Sequence, residues 1–309
     1  MTASVLAIIV IVIVDVAYLN SKNRGVDLVK KFIKYLFENT KAYSFYRLLK
    51  EESYCNNAQF EKTPWGFEFI GSKKMQFGSF EFDETKLIQN ILGKSEIFVD
   101  VGANTGYYTC LASKMHNKVI SIEPLISNLR LLYLNLQKNG WTTNVEIFPL
   151  GVSEKYGIAE IYGCYTGASL IAGWADGSKF HKRTIPLSSL DIILGQRFSG
   201  KKMLIKIDVE GTEFDVLKGA KKILQMKPSP IWVVEITLTE HHVTGKNPYF
   251  LDTFRLFWQA GYEVREIGKE EHVISEEEII EYACTGKQPN WKTTNYLFTP
   301  KAHSSEKYF

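Results

Sequence analysis

Cysteine is scarce in this 309-residue chain, and its four cysteines form no C-x-x-C pair. Cysteines this far apart are evidence against a zinc site and a disulfide framework, and they are typical of a reducing compartment. The chain also lacks a large excess of positive or negative charge. The net charge is only +3, without a basic stripe, so we expect no nucleic-acid partner. The hydrophobic content of 45% is typical of a globular protein with a packed core.

The N-terminal end differs from the rest of the chain. Residues 3–14 form an apolar run, Asp15 interrupts it, and residues 16–19 extend it. This length just reaches the roughly 17–25 residues that a bilayer crossing needs, and the Ile, Val and Leu residues should outweigh one aspartate near the end. We therefore predict that residues 1–20 are an uncleaved transmembrane anchor.

Two alternatives to the anchor are a cleaved signal peptide and a buried first helix. A signal peptide needs basic residues before the apolar run and a small-x-small cleavage site, and neither is evident. Basic residues follow the run instead, at Lys22, Arg24, Lys30, Lys31 and Lys34. By the positive-inside rule, a single-pass membrane protein of this kind would keep its main domain on the cytoplasmic side.

Residues 21–94 are predicted to form an amphipathic helix and a small β and helical lead-in. The helix is indicated by apolar residues at helical spacing, namely Val29, Phe32, Ile33, Leu36 and Phe37. Such a helix could rest on anionic lipid or pack on the domain. Short aromatic runs over residues 60–82 predict strands, and residues 82–92 predict a helix.

Strands and helices alternate over residues 95–300, which predicts an α/β domain with a parallel sheet. The expected strands are residues 97–101, 119–122, 145–150, 203–207, 231–236, 262–267 and 295–299. The expected helices are residues 107–115, 128–139, 213–224 and 251–260. Residues 153–191 are too long for a plain connection and are expected to form an inserted hairpin or lid. Residues 301–309 remain as a tail.

The first strand of this domain ends in a glycine-rich turn that runs from Asp100 to Gly106. Glycine allows a tight turn and a close approach of the backbone to a ligand, and the following helix offers free N–H groups. The turn lacks the middle glycine of the G-x-G-x-x-G pattern that makes room for a pyrophosphate. Ligands without a pyrophosphate are therefore favoured, and the carboxylate of Asp100 suits a cationic amino-acid group.

The second strand ends in Glu123-Pro124. An acid at this position can accept hydrogen bonds from both hydroxyls of a ribose. Glu123 follows Asp100 by 23 positions, which fits one strand–helix–strand unit. The alternative is that Glu123 only caps the next helix.

Two later strands also end in carboxylates. Asp208 and Glu210 follow the strand at residues 203–207, and Glu235 lies at the end of the strand after it. The carboxyl ends of parallel strands form the edge where such sheets bind ligands. These three residues are therefore the candidates for catalysis, with helix capping as the alternative for Asp208.

Three segments together resemble the FkbM-type methyltransferases. They are F-V-D-V-G-A-N-T-G-Y-Y-T at residues 98–109, I-E-P-L-I-S-N-L-R-L-L-Y-L-N at residues 122–135, and K-I-D-V-E-G-T-E-F-D-V-L-K-G-A at residues 206–220. The resemblance implies a Rossmann-like class I fold, with a mostly parallel seven-stranded sheet and helices on both faces. It also implies S-adenosylmethionine as cofactor. The cofactor would contact Asp100, Gly102, Ala103, Asn104, Gly106, Glu123 and Pro124.

The resemblance further implies methyl transfer to a hydroxyl oxygen of a sugar, glycan or other small acceptor. A hydroxyl is a poor nucleophile, so either a carboxylate or histidine removes its proton, or a divalent metal lowers its pKa. Asp208 and Glu235 could serve either way, with base catalysis favoured. A non-catalytic module tethered to the membrane and a nucleic-acid methyltransferase are the competing functions. The latter would need a basic domain that this chain lacks.

Deletion of residues 1–21 should release the protein from membranes and leave cofactor binding intact. The reason is that the apolar run is separate in sequence from every cofactor motif. Membrane fractionation measures the release, and persistence of the shortened protein in a carbonate-washed membrane pellet would contradict a single anchor. If a helix at residues 26–49 also binds lipid, release will be partial and sensitive to salt.

Overall fold

The computed structural model describes residues 40–287, 290–291 and 293–301. The predicted anchor at residues 1–20 and the amphipathic stripe at residues 29–37 lie outside the described residues, as does nearly all of the tail. Among the helices of the described part, none combines the length and apolar character that a membrane crossing requires.

Thirteen strands are found in the described residues, in three sheets. They are β1 (Glu61–Lys62), β2 (Glu68–Phe69), β3 (Ile97–Val101), β4 (Lys118–Ile122), β5 (Val145–Phe148), β6 (Gly151–Val152), β7 (Gly157–Tyr162), β8 (Lys182–Ser188), β9 (Met203–Ile207), β10 (Ile231–Glu235), β11 (Tyr262–Glu266), β12 (Lys269–Ile274) and β13 (Asn295–Pro300).

The central sheet has the order β12-β11-β13-β10-β9-β3-β4-β5. Its strands β10, β9, β3, β4 and β5 run parallel, whereas β13, β11 and β12 join antiparallel at one side. The mostly parallel α/β fold is thus confirmed, but the expected number of seven strands was wrong. The missed strand, β12, begins with the polar run Lys-Glu-Glu-His, and only its last two residues, Val273 and Ile274, are apolar. It lies at the sheet edge, where a strand is paired on one side only and tolerates charge.

Ten α-helices accompany the strands in the described residues. They are α1 (Lys41–Asn57), α2 (Lys73–Gln76), α3 (Phe82–Leu92), α4 (Tyr107–Lys114), α5 (Ile126–Lys138), α6 (Leu190–Leu194), α7 (Glu213–Lys218), α8 (Lys221–Leu224), α9 (Phe250–Gln259) and α10 (Glu276–Thr285). The single helix expected at residues 213–224 was wrong, because it is divided into α7 and α8. The division falls at Gly219-Ala220, where Ala220 leaves the helical range with φ −121°.

The two central strands explain where a site can form. Every residue of β3 and β9 is buried, since helices cover both faces of the sheet. Four of the five residues in each strand are apolar, and the exceptions are Asp100 in β3 and Lys206 in β9. These two residues are direct partners across the parallel strand pair. Charged groups are rarely buried without partners, so they mark a polar centre inside the sheet.

Between β5 and β9 the chain forms a small separate sheet. Strands β7 and β8 make an antiparallel hairpin, and the short strand β6 pairs in parallel with β8. The hairpin lies within the segment 153–191 that was expected to be an insertion. Side chains of this segment reach the edge of the central sheet, as described below.

One buried amide helps to attach the lead-in to the central sheet. Asn135, in α5, accepts a hydrogen bond from the Ile70 N–H at 2.7 Å and donates to the Ile70 carbonyl at 2.9 Å. The same amide donates to the Thr105 carbonyl at 2.9 Å, next to the glycine-rich turn. Buried backbone groups are costly when unpaired, so Asn135 joins the lead-in, α5 and the turn.

Replacement of Asn135 by Ala should lower the free energy of unfolding by about 2–4 kcal/mol, because it leaves the backbone groups of Ile70 and Thr105 unpaired. Gln137→Ala is the matched control, since Gln137 is exposed on the same helix. Its effect should stay within about 0.5 kcal/mol. Urea denaturation measures both changes. Equal effects of the two substitutions would contradict the role assigned to Asn135.

Candidate active site

A cavity of about 250 Å³ lies beyond the carboxyl ends of β3, β4 and β9. All of the predicted site residues except Gly106 line it. The predicted lining residues are Asp100, Gly102, Ala103, Asn104, Glu123, Pro124, Asp208, Glu210 and Glu235. The structure therefore collects side chains from four strand ends into one space. Whether they bind cofactor or catalyse a reaction stays a prediction.

Close packing explains the glycines of the turn after β3. Gly102 has φ +85°, and a Cβ atom there would lie 1.8 Å from the Asp208 carbonyl oxygen. The turn and the loop after β9 are thus in direct backbone contact, which only glycine permits. Gly106 also has a positive φ, but a Cβ atom there would meet the Leu132 side chain. Its place at the start of α4 is explained by packing against α5 rather than by contact with the cavity.

Asp100 is buried below the turn. The hydroxyl of Thr109 donates to its carboxylate at 2.6 Å, and Thr109 also lies 2.7 Å from the Ser121 hydroxyl. Burial raises the pKa of Asp100 to about 6, although the Thr109 hydrogen bond and the charge of Lys206 oppose the shift. A cationic ligand group in the cavity would favour the ionised form and lower this pKa.

Glu123 is bonded to the turn and to α5. Its carboxylate accepts hydrogen bonds from the Asn104 N–H at 2.9 Å, the Leu125 N–H at 2.8 Å and the Asn128 amide at 3.1 Å. The bond to Leu125, the residue before α5, holds Glu123 beside the start of that helix. Burial nevertheless raises its pKa to about 7. Two carboxylate oxygens offer about four acceptor positions, so three bonds leave room for a ligand donor.

Asp208 and Glu235 form a carboxyl pair at the ends of β9 and β10. Burial and the charge of Asp208 raise the pKa of Glu235 well above its usual range, and the two carboxyls share a hydrogen bond. Burial alone would also raise the pKa of Asp208. The charge of Lys206, 2.9 Å away, and the bond with Glu235 outweigh burial and lower it. The opposite directions of these shifts make Asp208 the member of the pair that loses its proton first. Asp208 makes no cap for α7.

Glu210 forms its hydrogen bonds with the inserted segment, residues 153–191. It lies in the left-handed region with φ 58°, and its carboxylate accepts from the Trp174 indole at 2.7 Å. The Ser169 hydroxyl donates to its carbonyl at 2.6 Å. Burial and the charge of Asp208 raise the pKa of Glu210 to about 7. Glu210 does not start the next helix, because α7 begins at Glu213, whose carboxylate accepts the N–H of Gly211.

Several residues around the cavity were not predicted from the sequence. Glu81 accepts a hydrogen bond from the Tyr108 hydroxyl at 2.8 Å, and Lys206 lies 3.6 Å from the buried Glu84. Glu81 and Glu84 precede the glycine-rich turn and have no motif that relates them to it. Lys206 did carry a signal, because a lysine in an otherwise apolar strand needs a buried partner.

Two further groups of titratable side chains lie outside the cavity lining. The ring of His241 is near Trp174 and does not line the cavity. Within the described residues, one group of possible metal ligands lies close together, namely Glu51, Cys164 and His181. The guanidinium groups of Arg47 and Arg183 already bind the thiol and the carboxylate of this group. Two positive charges at the ligand atoms disfavour a cation there.

A comparison with protein-family models matches residues 100–264 to the methyltransferase FkbM domain, which is more than half of the chain. The chain belongs to the FkbM methyltransferase family. Its cofactor is S-adenosylmethionine. No curated protein sequence matches the chain significantly.

Solved structures with similar folds include the FkbM methyltransferase from Methylobacillus flagellatus, at 20% identity and a TM-score of 0.40. That match covers 66% of this chain and 43% of the other, so the chain spans less than half the length of that relative. The S-adenosylmethionine-dependent methyltransferase from Agrobacterium tumefaciens matches at 10% identity and a TM-score of 0.40, over 75% of this chain and 65% of the other. Precorrin-6y C5,15-methyltransferase from Geobacter metallireducens matches at 14% identity and a TM-score of 0.37, over 64% and 78%.

The cavity fits this cofactor. Carboxyls suited to a cationic amino-acid group and to ribose hydroxyls, Asp100 and Glu123, line the same space. Gly102 lines this space too, and its lack of a Cβ atom lets the turn lie in contact with the Asp208 carbonyl. The residues that would hold the cofactor are therefore Asp100, Glu123 and the turn from Gly102 to Asn104.

Substitution of Gly102 by Ala should weaken binding of S-adenosylmethionine at least tenfold, because the methyl group would push the turn away from the Asp208 carbonyl. Gly140→Ala is the control. Gly140 also has a positive φ, but a Cβ atom there meets nothing within 4 Å. The control therefore separates backbone strain from the clash. Calorimetry measures both affinities, and unchanged binding by Gly102→Ala would contradict the assigned turn.

Proposed function

We propose that the protein transfers a methyl group from S-adenosylmethionine to a hydroxyl oxygen of a sugar, glycan or other small acceptor. The observation that carries the proposal is the ionisation pattern of the cavity. Among its lining carboxyls, Asp208 is the one whose pKa is lowered, whereas those of Glu81, Asp100, Glu123, Glu210 and Glu235 are raised. An ionised proton acceptor thus lies in the same space as the cofactor motif.

The proposed reaction depends mainly on positioning. The cofactor supplies the methyl group from its sulfonium, so that the sulfur–carbon bond breaks as the oxygen–carbon bond forms and the thioether leaves. Asp100, Glu123 and the glycine-rich turn bind and orient the cofactor. Asp208 accepts the acceptor's hydroxyl proton.

A low pKa does not prevent Asp208 from acting as this base. The hydroxyl proton becomes strongly acidic as the new bond to carbon forms, so a weakly basic carboxylate can take it at that stage. Asp208 is also partly accessible, with a quarter of its side chain exposed, whereas the nearby Lys206 and Glu84 are each about 3% exposed. Of the Asp208–Glu235 pair, Asp208 is the member without a proton.

The proposal extends to the place of the reaction. An anchor at residues 1–20 followed by basic residues would hold the domain at the cytoplasmic surface of a membrane. Acceptors at that surface, including lipid-linked glycans, would then be within reach.

The acceptor can be identified by comparing cells with and without the gene after feeding methyl-labelled methionine. Mass spectrometry of membrane and soluble extracts should reveal a compound that carries the labelled methyl group as an ether only when the gene is present. A labelled methylamine in its place would contradict the proposed oxygen acceptor. A protein that binds the cofactor but leaves no labelled product would support the non-catalytic alternative.

Asp208→Asn should bind S-adenosylmethionine like the wild type but lose about 10²–10⁴-fold in turnover, because the amide cannot accept the hydroxyl proton. Transfer of labelled methyl to the identified extract fraction measures turnover, and calorimetry measures binding. Asp215→Asn is the control, since Asp215 lies in α7 outside the cavity lining. Normal turnover by Asp208→Asn would exclude the base and direct attention to Glu235.

A further inference from the structure

Lys206 lies at the centre of the sheet and has no role in the proposed reaction so far. Side chains alternate along a strand, so Lys206 and Asp208 project from the same face. The Lys206 ammonium donates to Asp208 at 2.9 Å and lies 3.6 Å from the Glu84 carboxylate. It also lies 5.0 Å from the centre of the Tyr108 ring. Its side chain is only 3% exposed, so water contributes little to its solvation.

Acidic groups from three neighbouring elements and from the loop after β9 act on Lys206. Glu81 and Glu84 come from the start of α3, Asp100 from β3 and Glu235 from β10, while Glu210 follows Asp208 in the chain. Tyr108, from α4, adds a neutral phenol that bonds Glu81. Among the described residues, Lys206 is the cation that contacts this group.

The acids around Lys206 differ in their protonation. Burial raises the pKa of Glu84 to about 8 despite the nearby ammonium, so Glu84 is mainly neutral at pH 7. Among the described residues, neither carboxylate oxygen of Glu84 has a hydrogen-bond partner. At neutral pH the charged group in closest contact with Lys206 is therefore Asp208, at 2.9 Å. A buried ammonium is stable only if such a partner stays charged.

We propose that Lys206 is a positioning residue that holds Asp208 as the ionised member of the Asp208–Glu235 pair. This inference rests on the proposed function for its catalytic meaning, because it assigns the reason why Asp208 can accept a proton. Two carboxyls in contact lose their protons in two linked steps. With Lys206 present, the first proton leaves from Asp208 and the second stays on Glu235. Without Lys206, both carboxyls keep their protons to a higher pH.

The direct test follows the ionisation of Asp208 by infrared spectroscopy in the full chain, without acceptor. The carbonyl band of the protonated Asp208 carboxyl is identified by its loss in Asp208→Asn. In Lys206→Met this band should persist to a pH about 1–3 units higher than in the wild type. The reason is that an opposite charge at this distance lowers the pKa of a carboxyl by about that amount. An unchanged titration in folded Lys206→Met would overturn the proposal.

Two further variants distinguish charge from packing. Glu84→Gln changes the same buried contact but leaves the ammonium, so the Asp208 titration should stay near that of the wild type. Lys206→Arg keeps a positive charge and should restore most of the low-pH ionisation. If Glu84→Gln moves the titration as far as Lys206→Met does, the effect is one of packing and the proposal is wrong. If Lys206→Met does not fold, the double variant Lys206→Met, Glu84→Gln carries the same expectation with one fewer buried acid.

Activity provides the second measurement, with labelled methyl transfer to the extract fraction identified above. In Lys206→Met, the acidic limb of the plot of kcat/KM against pH should move to higher pH, by the same interval as the infrared titration. Below the shifted limb, the rate falls about tenfold for each unit. The two proposals can fail separately. Normal turnover in Asp208→Asn would contradict the base assignment, whereas an unmoved Asp208 titration in Lys206→Met would contradict the role of Lys206.

Discussion

The buried ion pair of Lys206 and Asp208 is the interaction on which the site depends. An ammonium inside a sheet that is covered on both faces can persist only next to a charged or strongly polar partner. Asp208 supplies that charge at 2.9 Å, and Asp100 is the partner of Lys206 on the neighbouring strand. Burial raises the pKa values of the other acids that line the cavity, whereas the nearby ammonium lowers that of Asp208. One cation thus determines which of several carboxyls loses its proton most readily.

The inserted hairpin makes this site a cavity instead of an open edge. Asn128 donates to both Glu123 and the Tyr165 carbonyl, which ties the cofactor-side acid to the segment between β7 and β8. Trp174 bonds Glu210 in the loop after β9. On the other side, Glu51 in α1 binds His181 and Arg183 of the same segment. The hairpin is therefore held between the cavity edge of the central sheet and α1.

Local patterns predicted most of the sheet, because a buried parallel strand is a short apolar run. Strands β3 and β9 begin and end where the pattern predicted. The failures occurred where local pattern and tertiary environment disagree. Four of the six residues of strand β12 are polar, which an edge strand that pairs on one side only tolerates. The helix expected at residues 213–224 divides at Gly219, where a Cβ atom would meet the Ser153 carbonyl oxygen at 2.4 Å.

The sequence by itself determined the fold class and the cofactor motif, because a glycine turn and an acid at the next strand end are local features with a fixed spacing. It also indicated Asp208, Glu210 and Glu235 as residues of one sheet edge. Only the tertiary structure decided their chemical states. Protonation depends on burial and on the distance to Lys206, and both arise when α3, β3, β9 and β10 pack together. Residues such as Glu84, far from Lys206 in sequence, become its neighbours only in the folded chain.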